Sequence, residues 1–523
     1  MRLRTGIELW ESLSPEQRQR INDDSAFMER DSNRVLVDYK GFRALASLAR
    51  PNIRARMLLA HEKLVERGYA RSRYSSRAIE EHLKALRADH VVGYRYLPPV
   101  SLSVAVLKRE LSKAKLTMLQ VSKQQEIAKL FSNPDAMAGF SGTATGRKYK
   151  KDYTEEELHH EASEAVRLAH EHGTFMELII PRYRTQAKMP INEEWEVQED
   201  DFSDGKYDKT RLVDVIGMKQ LLGEMHFSIP AQKYFEKIYQ YAGGKDDAML
   251  HRLISDCRQR FERWLSIDMS RYDESLGGEI IRLAFDVLRS MFVDEDFDDP
   301  LFCTVMYDFI HANFLWKGKV VHVDNGVKSG SMLTSIINSI CNLIVVGAFM
   351  IDQGITNYRA FVMGDDNLIF YTGDISLKTL SEYYSRVFGL TVHPDKCTYG
   401  TRDDDPEYLS RVWRRDGVYR NPTELFIKIS FPERWRDYKN NRVSTDAILW
   451  SYIQSFPLGM QEIMGFDRMH RWLTAHRHVE TFMMDVKYVT GLGKVRTFVG
   501  QVDSRTFDDF TYPELLRGWP VAA

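Results

Sequence analysis

Two adjacent carboxylates, Asp365 and Asp366, lie in the middle of an apolar stretch of the chain. The flanking runs 359–363 and 367–371 are rich in residues that favour β-strands, whereas Gly364 followed by Asp favours a tight turn. The pattern predicts a hairpin with two carboxylates at its tip. Such a pair is costly to hold without a cation, and Mg²⁺ prefers carboxylate oxygens. A metal site is therefore one interpretation, and a solvated surface turn is the alternative.

A second acidic pair, Asp268 and Asp273, follows the strand-like run that begins at Trp264. The residues between the two predict a turn, and a helix is predicted over Gly278–Phe292. A strand end would fix the first carboxylate rigidly, with the second about one turn away. Acidic residues at this spacing are also common in surface turns, so the pair alone does not distinguish the two.

A glycine-bearing loop, Gly326–Gly330, leads into a long apolar helix that is predicted to continue through Asn342. Within this helix Thr334 and Asn338 are four residues apart and share one face. Two polar groups on an otherwise apolar helix suggest a polar ligand. The alternative is that the threonine hydroxyl bonds back to helix carbonyls.

Basic residues that could bind phosphates precede these motifs. Lys209 and Arg211 alternate in a strand-like run and so point the same way, which suits a triphosphate. A surface strand with polar outer residues is the alternative. A further basic patch covers residues 181–188 and includes Arg184 and Lys188.

Each motif is weak alone, but together they occur in one order: a basic strand, D-x-x-x-x-D, S-G-x-x-x-T-x-x-x-N and G-D-D. In this order they resemble the palm of viral RNA-directed RNA polymerases. The Ser329–Asn338 run is most similar to the polymerases of picobirnaviruses and partitiviruses, which have double-stranded RNA genomes. Tyr408–Trp413, with Tyr419 and Arg420 soon after, resembles their segment beyond the palm. The resemblance covers about residues 180 to 435.

The resemblance implies a role for each matching residue. Asp268 and Asp365 resemble the two principal metal ligands, with Asp366 assisting, and the implied cofactor is a pair of Mg²⁺ ions, for which Mn²⁺ can substitute. Lys396 resembles the palm lysine that protonates pyrophosphate. The residues implied to position the incoming ribonucleotide are Asp273, Ser329, Gly330, Thr334 and Asn338. Those implied to bind its triphosphate are Lys209 and Arg211, with Arg184 and Lys188 as looser matches.

Two positions depart from the family pattern. Lys328 stands where the family often has proline or a small residue, and Asn367 stands where serine or alanine is usual. These departures bear on the virus group and not on the reaction.

The implied fold is α+β, a right-hand polymerase with an antiparallel palm sheet backed by helices. The expected units are a helical N-terminal region that bridges fingers and thumb (1–100), fingers (101–262), palm (263–294), a fingers insertion (295–325), the rest of the palm (326–404) and a mainly helical thumb (405–523), for example over Asp446–Gln454.

Local signals predict several further helices. One follows the capping box at Ser14, and the others cover Ile53–Arg67, Ser76–Arg87, Val104–Phe131 and Thr154–His172. A Gly/Ser/Thr loop is predicted to open the segment 138–151. The four histidines of 154–172 lack the H-E-x-x-H spacing, so a solvated face is favoured over a zinc site.

The composition is that of an ordinary globular protein. Lys plus Arg number 72 against 74 for Asp plus Glu, which counts mildly against a protein that coats nucleic acid on its outside. The four cysteines include no C-x-x-C pair, which argues against a zinc ribbon or a disulfide framework. The longest apolar run, Leu343–Ile351, is too short to span a bilayer, so no membrane segment is expected.

The sequence therefore predicts an RNA-directed RNA polymerase that copies a viral RNA genome. Its expected partners are an RNA template, the nascent duplex, ribonucleoside triphosphates and a viral capsid protein, in a virion interior or the host cytoplasm. A reverse transcriptase is disfavoured by Asp273, where such enzymes typically place a bulky residue. A non-catalytic RNA-binding structural protein is the rival from another class.

Overall fold

The structure is a computed structural model that describes residues 2–26, 37–68, 70–71, 76–131, 134, 136–184, 187–189, 211–431, 449, 452–453 and 455–466. The predicted helix over Asp446–Gln454 lies almost entirely outside the described residues. The described part is mixed helix and sheet, and every pairing between its named strands is antiparallel. This agrees with the α+β prediction.

The helices of the described part are α1 (Arg2–Glu11), α2 (Pro15–Ala26), α3 (Tyr39–Leu48), α4 (Pro51–Arg67), α5 (Ser76–Leu86), α6 (Pro98–Leu111), α7 (Gly139–Ala144), α8 (Glu155–His172), α9 (Met218–Phe235), α10 (Asp247–Arg260), α11 (Tyr272–Ser275), α12 (Gly278–Arg289), α13 (Asp299–Ile310), α14 (Thr334–Asp352), α15 (Leu377–Tyr383), α16 (Pro422–Ser430) and α17 (Leu458–Met464). The strands are β1 (Ala70–Arg71), β2 (Ile180–Arg184), β3 (Ala187–Met189), β4 (Arg211–Val215), β5 (Arg263–Ser266), β6 (Ala312–Trp316), β7 (Lys319–Val323), β8 (Tyr358–Met363), β9 (Asp366–Tyr371), β10 (Thr398–Thr401), β11 (Glu407–Tyr408), β12 (Arg411–Arg414) and β13 (Gly417–Tyr419).

A four-stranded sheet in the order β10-β5-β9-β8 is the centre of the molecule. Helix α14 packs behind it and is buried along most of its length, as its apolar sequence requires. By length and composition α14 could span a membrane, but 78% of its apolar window is buried inside the protein. It is therefore a core helix.

Helix boundaries follow the capping signals closely. In α2 the Ser14 Oγ accepts from the Gln17 N–H, and the Gln17 side chain accepts from the Ser14 N–H, which completes the predicted box. Thr154 and Glu157 make the same reciprocal pair at the start of α8, which ends at Gly173 as predicted. Gly68 ends α4.

Two local predictions are wrong. The helix predicted over Val104–Phe131 ends at Leu111 and gives way to short 3₁₀ turns, with Lys115 in the left-handed region. The Gly/Ser/Thr segment after Ala138 is the short helix α7, whose small residues allow it to pack in the interior.

The segment expected to begin the thumb forms the three-stranded sheet β11-β12-β13, with Leu409 and Ser410 at positive φ in the turn between β11 and β12. Helices α16 and α17 follow, and the mainly helical thumb stays a prediction.

The N-terminal helices contact two distant parts of the chain. Helices α3 and α4 share an apolar cluster with α16, α17 and four more residues, Leu449, Tyr452, Ile453 and Phe456. Residues of α1 and α2 pack with α7, β2, β4 and β6. The N-terminal region thereby joins the C-terminal helices to the segment before the central sheet.

Candidate active site

The G-D-D motif forms the predicted hairpin tip. Strands β8 and β9 pair in a register that sets Met363 opposite Asp366 and leaves Gly364 and Asp365 as a two-residue turn. Gly364 has a φ of 68°, a backbone conformation in which glycine avoids the strain of a side chain. Both aspartates are exposed at the tip of a hairpin whose central residues are buried.

Helix α14 holds this turn from behind. The buried Asn342 amide donates to the carbonyls of Gly364 and Asp365, each at 3.0 Å, and the Ser339 hydroxyl accepts from the Gly364 N–H at 2.9 Å. Three hydrogen bonds from one rigid helix therefore fix the backbone that carries Asp365.

The other acidic motif reaches the same end of the sheet through β5. This strand pairs with β9, with Leu265 opposite Ile369. Beyond the last pair, the buried Asn367 side chain accepts from the Ile267 N–H at 3.0 Å and donates to the Ile267 carbonyl at 3.3 Å. The Asn367 side chain thus takes the place of a backbone partner in the β5–β9 pairing. It fixes Ile267, and thereby the following residue Asp268, beside the strand that carries the G-D-D turn.

The segment that contains Lys396 runs beside Asp268. The His393 N–H donates to the Asp268 carbonyl at 3.0 Å, and Met269 bridges Val392 in an antiparallel pairing. Lys396 lies in a short 3₁₀ turn after His393 and is exposed. The structure therefore places the turn that contains Lys396 directly after a residue that contacts the Asp268 backbone.

Asp273 lies on α11 and contacts α14 across the site. The Asn338 amide donates to its carboxylate at 2.7 Å. Burial, then the neighbouring Asp365 carboxylate, raise the pKa of Asp273 to about 6, against the opposing effect of the Asn338 hydrogen bond. The motifs D-x-x-x-x-D, T-x-x-x-N and G-D-D therefore meet at one place.

The loop before α14 is held from within by buried side chains. The fully buried Lys328 ammonium donates to the carbonyls of Ile310, Asn325 and Gly326 at 2.8–3.0 Å. The Thr334 hydroxyl donates to the carbonyls of Lys328 and Ser331. The Thr334 hydroxyl therefore bonds to the backbone, as the alternative interpretation predicted. The carbonyls that accept belong to the loop and not to the helix.

Two carboxylates anchor the same loop to neighbouring elements. The buried Glu224 of α9 accepts from the Ser331 hydroxyl and the Met332 N–H, both at 2.8 Å. The buried Asp214 of β4 accepts from the Ser329 N–H at 3.1 Å, and its own N–H donates to the Ser329 hydroxyl. The Ser-Gly loop is thereby attached to the basic strand.

Gly330 has a steric reason for lacking a side chain. A Cβ at this position would lie 1.8 Å from the Asp214 carbonyl oxygen. Only glycine allows the loop to approach β4 so closely.

The expected triphosphate-binding residues fall on two sheets. In the β2–β4 pair Arg184 stands opposite Arg211. Lys188 lies in β3, which pairs with β1 instead. Lys209 lies outside the described residues. The structure thus brings the backbones of Arg184 and Arg211 together and places Lys188 on a different sheet.

The aspartates at the sheet end have the chemistry of a cation site. Within the described residues, no lysine or arginine forms an ion pair with Asp268 or Asp365, and both are exposed. Hard divalent cations suit such carboxylates. The ligand atoms of Asp268, Asp365 and Asp366 do not all lie within 4.8 Å of one another. In the described ranges, the one group of three such residues whose ligand atoms do is His311, His322 and Asp324.

Comparison with known proteins decides the family. The family model described as viral RNA-dependent RNA polymerase matches residues 100–425, more than half of the chain. The chain belongs to this family. Members of this polymerase family generally use divalent metal ions.

Curated relatives are similar over shorter segments. The RNA-directed RNA polymerase of Cryptosporidium parvum virus 1 (strain KSU-1) is 28% identical over 166 residues, 31% of this chain and 31% of that protein. The genome polyprotein of Mengo encephalomyocarditis virus is 27% identical over 231 residues, 41% of this chain and 10% of the polyprotein. The genome polyprotein of Ljunganvirus 1 is 26% identical over 128 residues, 24% of this chain and 6% of the polyprotein. The matched segments span less than a third of these relatives' lengths.

Several residues that shape this polymerase site were not predicted. Asn367 was noted only as a departure from the pattern, and Ser339 and Asn342 were not singled out. Polar residues on the apolar helix α14 were the available signal. Asn342 follows Asn338 by four residues and Ser339 precedes Asn342 by three, so the helical spacing connects all three. The remaining ones are His82, Asp214 and Glu224, whose contacts are long-range and leave no local pattern.

Proposed function

We propose that the protein is an RNA-directed RNA polymerase that replicates and transcribes a viral RNA genome. It would transfer ribonucleoside monophosphates from triphosphates onto an RNA 3′-end. The observation that carries this proposal is the meeting of Asp268, the Gly364–Asp366 turn and the Asp273–Asn338 pair at one end of the central sheet. Family membership supports it.

Phosphoryl transfer depends on positioning and charge neutralisation more than on covalent catalysis. Asp268 and Asp365, with Asp366, would hold two Mg²⁺ ions, with Mn²⁺ as a substitute. Such ions activate the 3′-hydroxyl and neutralise the triphosphate and pyrophosphate charge. The protein's part is to fix the carboxylates, and the contacts of Asn342 and Asn367 supply that rigidity.

Sugar selection would rest on Asp273 and Asn338. A ribose 2′-hydroxyl both donates and accepts hydrogen bonds, so a carboxylate and an amide can read it together. Ser329, Gly330 and Thr334 would shape the loop on which the nucleotide rests. Lys396 lies in the turn after His393, the residue that contacts the Asp268 backbone. It would donate a proton from Nζ to the leaving pyrophosphate.

Fingers cations would receive the triphosphate. Arg184 and Arg211 are supported by their opposed positions on β2 and β4. Lys209 and Lys188 complete the proposed set on the strength of the sequence pattern. Planar guanidinium groups suit bidentate phosphate binding.

The domain assignment is also a proposal. We assign the palm to 263–294 and 326–404, the fingers to 101–262 and 295–325, and the thumb to 405–523. The packing of α1 and α2 on one side and of α3 and α4 on the other supports a bridging role for residues 1–100.

The virus group and location follow from the same proposal. The match to the polymerase of Cryptosporidium parvum virus 1, a double-stranded RNA virus, supports such a virus as the source, most like the picobirnaviruses and partitiviruses. The partners would be template RNA, the nascent duplex and a capsid protein, in the virion interior or the host cytoplasm.

The decisive experiment incubates the purified protein with an RNA template, the four ribonucleotides and Mg²⁺ or Mn²⁺. We expect labelled RNA product that requires both template and metal. Incorporation of deoxynucleotides in preference would favour a reverse transcriptase. RNA binding without incorporation under either metal would favour a structural protein.

A further inference from the structure

A buried histidine of the N-terminal region contacts two carboxylates that flank the proposed nucleotide site. His82 lies on α5 and is only 5% exposed. Its Nδ1 is 2.8 Å from the Glu274 carboxylate, and its Nε2 is 3.2 Å from the Asp214 carboxylate. Both ring nitrogens therefore face acceptors.

This geometry selects the doubly protonated ring. A neutral imidazole can donate from only one nitrogen, whereas the cation donates from both. Burial alone would lower the pKa of His82, but Asp214, followed by Glu274, raises it to about 9. Other charged groups near this cluster are Arg271, which pairs with Glu274, and Lys328, whose charge is near Asp214. Asp273 is a third, and its carboxylate is close enough to Asp214 and Glu274 for both to raise its pKa.

Each carboxylate leads directly to a residue of the proposed site. The second oxygen of Asp214 accepts from the Ser329 N–H, so this carboxylate joins His82 to the Ser-Gly loop. Glu274 is the neighbour of Asp273 on α11. One imidazolium thus lies between the loop and the helix that together would read the ribose.

Packing around α5 keeps this arrangement tight. Ile79, Leu83 and Leu86 of α5 belong to one apolar cluster with residues of β6, β7 and α9. A Cβ on Gly326 would lie 2.1 Å from Leu86, so the helix rests directly on the loop. The side chain of His82 therefore has little freedom to leave its two partners.

We propose that His82 is a positioning residue for nucleotide selection, and that it holds the Ser329–Gly330 loop and the Asp273 helix in register by bridging Asp214 and Glu274. The inference rests on the proposed polymerase function. It gives the N-terminal region a direct role in the choice of nucleotide.

The test compares steady-state kinetics of wild type, His82→Gln and Glu274→Gln on one RNA template. Glutamine is neutral, so it removes the positive charge that lies between the two carboxylates. We expect KM for ribonucleotides to rise roughly tenfold in His82→Gln, because a tenfold change corresponds to the loss of one strong contact. The value of kcat should change far less. The preference for ribonucleotides over deoxynucleotides should fall by a similar factor. Glu274→Gln should shift both quantities in the same direction and less.

Two further variants separate positioning from general stability. His82→Lys keeps a cation that can donate to both carboxylates, and we expect it to recover most of the wild-type KM. His61→Ala removes an equally buried histidine of α4, which contacts Ser430 away from the site. It should lower the melting temperature and leave KM and the sugar preference unchanged.

The possible outcomes remain distinguishable. Absence of incorporation by the wild type would reject the proposed function itself. An active wild type with unchanged KM and sugar preference in folded His82→Gln and Glu274→Gln would overturn the role of His82. If His82→Gln does not fold, Glu274→Gln decides, and wild-type values in that variant overturn the proposal.

Discussion

The Asn338 amide donates a hydrogen bond of 2.7 Å to the Asp273 carboxylate. The bond joins α14 to α11, two helices that approach the sheet end from different directions. Burial and the charge of Asp365 destabilise the ionised form of Asp273, and the amide partly offsets this effect. A ribose hydroxyl that enters here would meet a polar pair whose orientation is already fixed.

Loss of either partner should weaken sugar selection. We expect Asp273→Ala and Asn338→Ala each to reduce the ratio of kcat/KM for UTP over dUTP roughly tenfold, the usual effect of one charge-assisted hydrogen bond. The double variant should lose little more than either single one, because the two side chains act as a unit. Single-nucleotide incorporation kinetics measure the ratio, and an unchanged preference in both single variants would count against the pair.

Removal of a proposed metal ligand should abolish incorporation while the fold remains. For Asp365→Asn we expect a loss of more than roughly 100-fold, the upper range for residues that only support a ligand. Asp365 is exposed, so the melting temperature should change little. Asp374→Asn is the matched control, since Asp374 is exposed and pairs with Arg263 at the surface. Wild-type incorporation by the Asp365 variant would refute the assignment.

The sequence predicted those parts of the site whose signals are local. The hairpin at Gly364, the shared face of Thr334 and Asn338, and the caps at Ser14 and Thr154 depend on neighbours in the chain, and the structure confirms these elements. The ligand roles of Asp268 and Asp365 stay predictions. The two hydrogen bonds between the Asn367 side chain and the Ile267 backbone could not be predicted, because the two residues are 100 positions apart in the chain.

The failed predictions have a similar physical origin. The pattern over Val104–Phe131 is apolar enough for a helix, but Leu116 pairs with Phe292 in a β-bridge and pulls the chain out of the helix. Tertiary contacts decide such segments against local propensity. The bridge from His82 to Asp214 and Glu274 joins three distant segments, so no motif of the sequence could show it.

Lys396 should act as a proton donor if its position beside Asp268 is productive. We expect Lys396→Ala to lower kcat roughly 100-fold, because the leaving pyrophosphate would lose its proton donor. Lys378→Ala is the control, because Lys378 is exposed and pairs with Glu382 on its own helix. A normal rate and pH profile in the Lys396 variant would remove this residue from the mechanism.

The close approach of Gly330 to β4 predicts a steric effect. In Gly330→Ala the new methyl group would overlap the Asp214 carbonyl, so the loop must move from the strand. We expect a loss of stability of roughly 1–3 kcal/mol and a severe loss of incorporation. Gly173→Ala, at a helix end with open space around it, should cost about 1 kcal/mol and leave activity intact. Equal activity of the two variants would contradict the importance of this contact.

The charge of His82 should appear in the pH dependence of folding stability. A histidine whose pKa is about 9 in the folded protein binds its proton more tightly there than in the unfolded chain. Its contribution is therefore complete below pH 6.5 and is lost as the pH rises through about 9. Its size is on the order of 3 kcal/mol.

Buried lysines act in the opposite direction and must be separated from this effect. Burial lowers the pKa of Lys328 to about 7 and that of Lys150 to about 8, so both favour the folded state increasingly as the pH rises toward 10.5. The informative quantity is the difference in unfolding free energy between wild type and His82→Gln, because the lysine contributions cancel. We expect this difference to shrink from pH 6.5 to pH 9 in denaturant titrations.

His61→Ala supplies the control for that experiment. Burial lowers the pKa of His61 to about 4, so above about pH 7.5 this histidine is neutral in both the folded and the unfolded chain. The difference between wild type and His61→Ala should then stay constant up to pH 9. If the His82→Gln difference is equally constant, His82 is neutral in the folded protein, and its two carboxylate partners are not held by charge.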